Sequence, residues 1–258
     1  MTVILHKFGS IWGIADASPF CVKLENFLRI NNISFNVGPY DMKSIIGKSP
    51  KKKVPFVDLS NGERLGDSQL IIERLSKDLD INMDAPLTTE QKAISHAYRK
   101  MLDECFYFYI VYSRWGSEKG WRIIKDEFFS GMPPVIGELI INYLRKGVQR
   151  TLFEQGTARH SHEEIMHMAK ADLDSISTLL EQNTWFFGSD KPTMLDLVTH
   201  AYIINIMRAP VHDEIKEYTL LCKNLCQHAE RLQTQLYEDV KEQKLSKHRK
   251  DKNNENPM

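Results

Sequence analysis

Strand and helix patterns alternate through the first 80 residues of this chain, and beyond residue 89 only helical patterns remain. Few folds accommodate that change. Residues 3–8 read as a short strand, a Gly- and Asp-containing loop follows, and 18–31 carries helical spacing in Leu24, Phe27 and Leu28. Residues 34–40 read as a second strand and 42–46 as a weak helical segment. Two further strands, 54–59 and 63–66, are joined at Asn61-Gly62, a dipeptide suited to a tight hairpin. A helix at 68–79 completes the order β-α-β-α-β-β-α, a small mixed sheet with helices packed on it.

Residues 81–89 hold Asn82, Asp84, Pro86 and two threonines with little periodicity, the composition of a linker. The remainder predicts an all-helical bundle with segments at 90–115, 121–129 and 135–153. Ser161-His162-Glu163-Glu164 is a capping box opening a helix to 182, Thr193-Met194-Leu195-Asp196 opens another, and 213–240 reads as one last helix. From Lys244 the chain loses its apolar face. The expected organisation is therefore α/β plus all-α: a sheet domain at 1–80, a linker at 81–89, a helical domain at 90–243 and a disordered charged tail at 244–258.

A length of 258 residues suits two domains, and 42% hydrophobic with 26% charged residues is ordinary for a globular protein. Lys plus Arg equals Asp plus Glu at 34 each, which removes the broad electrostatic case for nucleic acid. No apolar run is long enough to span a bilayer, and the N-terminus does not read as a secretory signal. Cys21, Cys105, Cys222 and Cys226 lack a disulfide-framework spacing, which fits a reducing compartment. A cytoplasmic protein with a small-molecule partner is expected.

Three short motifs carry the candidate chemistry. Ser18-Pro19 suits a helix N-terminus, where free N–H groups and the helix dipole favour a thiolate. Taken alone, Ser18 reads better as a simple cap. Lys53-Val54-Pro55-Phe56-Val57 places an X-Pro bond at a strand start, and Asp67-Ser68 stands where strand gives way to helix, again readable as a cap. Lys51 and Lys52 read as a solvated basic loop. Cys21 lies one turn inside its helix, where a cysteine is more often a core residue than a nucleophile.

With these motifs in this order, the chain resembles the glutathione transferases. The resemblance implies a thioredoxin-like N-terminal domain, a helical C-terminal domain and glutathione as co-substrate, without a metal. It implies that Ser18 is the catalytic residue that stabilises the thiolate, that Val54-Pro55 is cis and presents the Val54 backbone to glutathione, that Lys53 meets a carboxylate, and that Asp67 and Ser68 hold the γ-glutamyl end. It further implies that Tyr112, Arg114 and Trp115 line the pocket of a small electrophile, and that the protein is a homodimer. Within the superfamily, Ser18 to Glu25 and Tyr112-Ser113-Arg114-Trp115 look most like the metaxin and failed-axon-connections branch. That likeness leaves two functions open: a conjugating enzyme, or a non-catalytic binding or adaptor protein on the same fold. His160, His162 and His167 read as exposed residues of a capped helix rather than metal ligands, and Cys222 with Cys226 as helix packing.

Overall fold

The computed structural model describes residues 2–39, 47–130 and 134–238, so the segment at 42–46 and the tail at 244–258 lie outside the described residues. In chain order the strands are β1 (Val3–His6), β2 (Phe35–Val37), β3 (Phe56–Asp58) and β4 (Arg64–Gly66). The helices are α1 (Pro19–Ile30), α2 (Ser68–Asp78), α3 (Thr89–Met101), α4 (Tyr107–Val111), α5 (Glu118–Phe129), α6 (Pro134–Gln155), α7 (His162–Leu180), α8 (Met194–Arg208), α9 (Glu214–Leu221) and α10 (Lys223–Leu236). Two compact units result: Met1–Pro86 and Lys191–Arg208 with the described residues from His228 on, and Leu87–Asp190 with Ala209–Gln227.

The first unit is a thioredoxin-like mixed sheet in the order β2-β1-β3-β4. β1 pairs parallel with β2 across the α1 crossover, and β3 pairs antiparallel with both β1 and β4. The strands are shorter than the hydrophobic pattern alone suggests. β3 begins only after Pro55, which has no N–H for the ladder. At the hairpin, Leu59 N–H donates to Glu63 C=O at 2.8 Å and Gly62 takes φ 84°, the left-handed conformation that Asn-Gly turns require. α1 buries Cys21, Val22, Leu24, Phe27 and Leu28, and α2 packs Ile71, Ile72 and Leu75 beside it.

α8 also packs on α1, and every residue from Met194 to Ile206 is buried, as befits a helix apolar nearly all round. Several of its polar groups meet partners, while Thr199 Oγ1 and His200 Nε2 are buried without one among the described residues. The Asn26 amide nitrogen donates to Leu197 C=O and to His200 Nδ1, both at 2.9 Å, while the Tyr237 hydroxyl donates to Asn26 Oδ1 at 2.7 Å. Asp196 accepts from the Thr193 N–H and hydroxyl with Oδ2, both at 2.7 Å, and meets His228 Nε2 at 2.8 Å with Oδ1. The Thr193–Asp196 motif is thus a helix start, with the added duty of pairing with a buried imidazole.

The second unit is helical. Thr88 and Gln91 form a capping box at α3, and Ser161 with Glu164 forms the expected one at α7. The predicted helix at 90–115 is continuous but not uniform: π-helical turns at Leu102–Phe106 and Tyr112–Gly116 flank α4. Such turns leave no mark on a 3.6-residue period. α5 starts against the second turn so closely that a Cβ on Gly120 would stand 1.8 Å from the Ser113 carbonyl oxygen. The expected single helix at 213–240 is instead α9 and α10, broken at Cys222 (ψ 72°). Asn224 explains the break. Its amide nitrogen donates to Ser177 C=O at 2.9 Å and to Glu181 C=O at 3.0 Å, closing the end of α7, and that contact turns the chain.

Candidate functional site

The sheet register brings the three sequence motifs to one end of the first unit. His6, the last residue of β1, pairs with Phe56, the first of β3, and Phe56 pairs with Gly66, the last of β4. The loop that leads from β1 to Ser18, the Val54-Pro55 bond before β3 and the Asp67-Ser68 pair after β4 all therefore leave the sheet from the same row.

The β1–α1 loop is tightly built. Ile11 and Ile14 exchange two backbone hydrogen bonds at 3.1 and 2.9 Å across Trp12-Gly13, both at positive φ, a two-residue turn of the hairpin type. Buried Lys7 donates to Ala15 C=O at 2.9 Å and pairs with Glu25 at 2.5 Å. Asp16 is wholly buried and accepts the Ser18 N–H with Oδ1 at 2.8 Å and the Gly9 N–H with Oδ2 at 2.9 Å. Its own carbonyl accepts from the Asn205 amide of α8 at 3.2 Å. Burial, outweighing these bonds, pushes the Asp16 carboxyl up to about 6.

Ser18 is the N-cap residue of α1 with extended backbone and Pro19 at the first helical position, yet its hydroxyl makes no cap hydrogen bond. The simple-cap reading of Ser18 thus lacks its bond. The hydroxyl instead lies within reach of the Cys21 thiol. That thiol is fully buried. Burial and then the Asp16 charge push it well above its ordinary value, against opposing pulls from Ser18, Lys7 and the Phe8 backbone. Cys21 is a core residue, protonated at neutral pH.

The Val54-Pro55 bond is cis. Ser49, buried behind it, accepts the Lys53 N–H at 3.0 Å and donates to the Lys53 C=O at 2.5 Å, while the Lys53 side chain is exposed. Asp67 has φ 84°, unusual for a residue with a side chain, and caps α2 by accepting from Gln69 N–H at 3.0 Å and Leu70 N–H at 3.3 Å. Its other oxygen lies 3.5 Å from Lys51. The basic residue nearest this motif is therefore Lys51, which stays exposed as its sequence suggests, and Ser68 beside Asp67 is buried.

Tyr112, Arg114 and Trp115 belong to the second unit. The Tyr112 hydroxyl lies 3.4 Å from His162 Nδ1, and His162 Nε2 lies 3.3 Å from Glu214, which also pairs with Lys170 at 3.0 Å. His162 is thus a bonded member of a side-chain chain, a role that no local pattern reveals. Arg114 is buried, and its guanidinium is lowered to about 10, chiefly by burial. Trp115 stands in an aromatic cluster with Trp121 and Phe129, at centroid distances of 5.4 and 6.3 Å. Among the described residues no group of three or more His, Cys, Asp or Glu side chains is placed to hold a metal.

Two family models match the chain: the glutathione S-transferase N-terminal domain over residues 19–120 and the glutathione S-transferase C-terminal domain over 169–232. The chain belongs to the glutathione S-transferase superfamily. An isoprene-epoxide glutathione S-transferase of Rhodococcus sp. (strain AD45) is 27% identical over 90% of this chain and 98% of its own length. Failed axon connections of Drosophila melanogaster is 30% identical over 92% of this chain and 58% of its own, and a Caenorhabditis briggsae metaxin-1 homolog 25% identical over 78% and 64%. The chain therefore spans nearly all of the first relative and about three fifths of the other two. These matches set it in the superfamily's metaxin-like branch. In fold it resembles a Methylobacterium radiotolerans glutathione S-transferase solved in complex with glutathione sulfonate, with TM-score 0.56 and 14% identity over 90% of this chain and 91% of that one. Among the described residues, no helix of this superfamily member is long and apolar enough to cross a membrane.

Proposed function

We propose that the protein binds glutathione where Ser18, Val54-Pro55 and Asp67-Ser68 leave the sheet, and that it conjugates the bound thiol to a small electrophile. The observation that carries this reading is the His6–Phe56–Gly66 row, which gathers the three motifs, together with a Ser18 hydroxyl that is not committed to capping its helix. Ser18 and the first N–H groups of α1 favour the thiolate, because a hydrogen bond to a charged group is worth about 1.5–3 kcal/mol, or roughly one to two pH units on a thiol. The thiol proton passes to water. The thiolate then attacks an electrophilic carbon, a C–S bond forms, and the leaving group departs with the bonding pair.

In this reading the Val54 backbone pairs with the cysteinyl segment and Lys53 with a carboxylate. The α2 N-terminus with Ser68 takes the α-carboxylate, and Asp67 takes the ammonium. Tyr112, Arg114 and Trp115 border the electrophile. The protein is a cytoplasmic homodimer with a thioredoxin-like glutathione-binding domain at 1–80. The Rhodococcus relative supports an enzyme; the likeness to failed axon connections supports a second reading, a binding or adaptor protein that keeps the fold without turnover. Calorimetric titration of glutathione into the full chain, followed by turnover of a model aromatic electrophile, separates them: saturable heat with turnover is expected, and the absence of either would leave the second reading.

A further inference from the structure

We infer that Asp16 is the positioning residue of the Ser18 centre, a carboxylate that fixes the thiolate-binding turn by holding the Ser18 and Gly9 N–H groups at once. This inference rests on the glutathione reading above. One oxygen accepts from Ser18 at 2.8 Å and the other from Gly9 at 2.9 Å, so a single side chain ties the two ends of the loop together. The loop is braced around that clamp by Lys7 on Ala15 C=O and by Asn205 on Asp16 C=O. The groups facing Asp16 are Lys7, the first residue after β1, Glu25 and Cys21 on α1, and the neutral amide of Asn205 from α8.

What Asp16 contributes is geometry, not charge. An anion beside the N-terminus of α1 disfavours a second anion there, as its effect on Cys21 illustrates. Both oxygens must accept, because both partners are N–H donors. Protonation turns one oxygen into a donor and releases one end of the loop. The carboxyl, pushed up to about 6 by burial, makes that release reachable in mild acid. Asp16→Asn imposes the same conflict at every pH.

Two measurements test the inference on the full chain. In the wild type without ligand, the Ser18 and Gly9 amide resonances should shift together with pH, with a common midpoint near 6, and Asp16→Asn should abolish the transition. Independent or pH-invariant amides would overturn the clamp, and this result needs no variant that folds. With glutathione bound, thiolate absorbance followed against pH should give a higher thiol pKa in Asp16→Asn than in the wild type, with turnover of a model aromatic electrophile falling about tenfold per pH unit of that rise. Removing a negative charge alone would move the thiol the other way, so a lower or unchanged value would overturn the positioning role. Wild-type protein that shows the amide transition but no glutathione binding would overturn the glutathione reading and leave the clamp standing.

Discussion

His200 should make this protein sensitive to acid through its unfolded state. The imidazole is wholly buried on α8, accepts from Asn26 at Nδ1 and stacks on Tyr237 with centroids 6.1 Å apart. Burial first, and then the neighbouring His228, pushes its pKa down from 6.5 to about 3, with Gln233 opposing weakly. Below pH 6.5 the unfolded chain takes up a proton that the native chain refuses, so stability falls with pH across the interval from 6.5 to 3. The interval is about 3.5 pH units at about 1.36 kcal/mol each, so the loss approaches 5 kcal/mol. Asp16 works in the opposite direction. Its native value near 6 exceeds the ordinary 3.8, so acid favours the folded state between them by about 3 kcal/mol. The wild-type profile mixes the two, and a difference measurement isolates His200. His200→Gln, which keeps an acceptor for Asn26, should cost about 1–3 kcal/mol near pH 8. By about pH 4 the balance should shift by roughly 3 kcal/mol in the variant's favour, enough to close or reverse the gap, because the variant no longer carries the proton-linked penalty. Urea denaturation of both proteins across that range is the assay. A gap that stays constant with pH would show that His200 is not held neutral, and the reasoning would fail.

Other outcomes follow from the same contacts. Gly120→Ala should destabilise by about 1–3 kcal/mol or more, because the added Cβ meets a backbone oxygen at 1.8 Å, and a thermal midpoint equal to wild type would show that α5 slides freely. Ser18→Ala should lose less stability than the roughly 0.5–2 kcal/mol of a true cap, since no cap bond exists to lose, while turnover with a generic aromatic electrophile drops; a large melting shift with unchanged turnover would reverse both roles. Asp196→Ala should cost about 1–3 kcal/mol by chemical denaturation, as it strips the α8 cap and leaves buried His228 without its hydrogen-bond partner. A loss under about 1 kcal/mol would mean that water replaces the side chain.

Local signals carried the fold far. Asn61-Gly62 marked a real hairpin, and Ser161 with Glu164 a real capping box. Features resting on distant partners stayed hidden. The helix at 213–240 reads as continuous because its apolar spacing crosses Cys222 undisturbed, and the break comes from Asn224 meeting the end of α7. Lys51 is solvated as it reads, yet its exposed contact with Asp67 is not written in its neighbours, and Asp16 looks like any loop aspartate until Gly9 and Ser18 converge on it. The π turns of 102–106 and 112–116 alter hydrogen-bond ladders without altering composition. Candidate site residues were visible as motifs; their bracing was not.

The hydrogen bond from Asn205 to Asp16 joins residues 189 apart, and the bonds of Asn26 to Leu197, His200 and Tyr237 span 171 to 211. On a ribosome adding about 5–20 residues per second, the loop that carries Ser18 waits roughly 10–40 s before α8 exists to clasp it. The nascent sheet must stay in solution through that delay with the α1 surface that α8 later covers still bare. A fragment ending at the linker would remain in that unfinished condition permanently, so the sheet unit and the stretch of chain around α8 are one inheritance, to be exchanged or truncated only together.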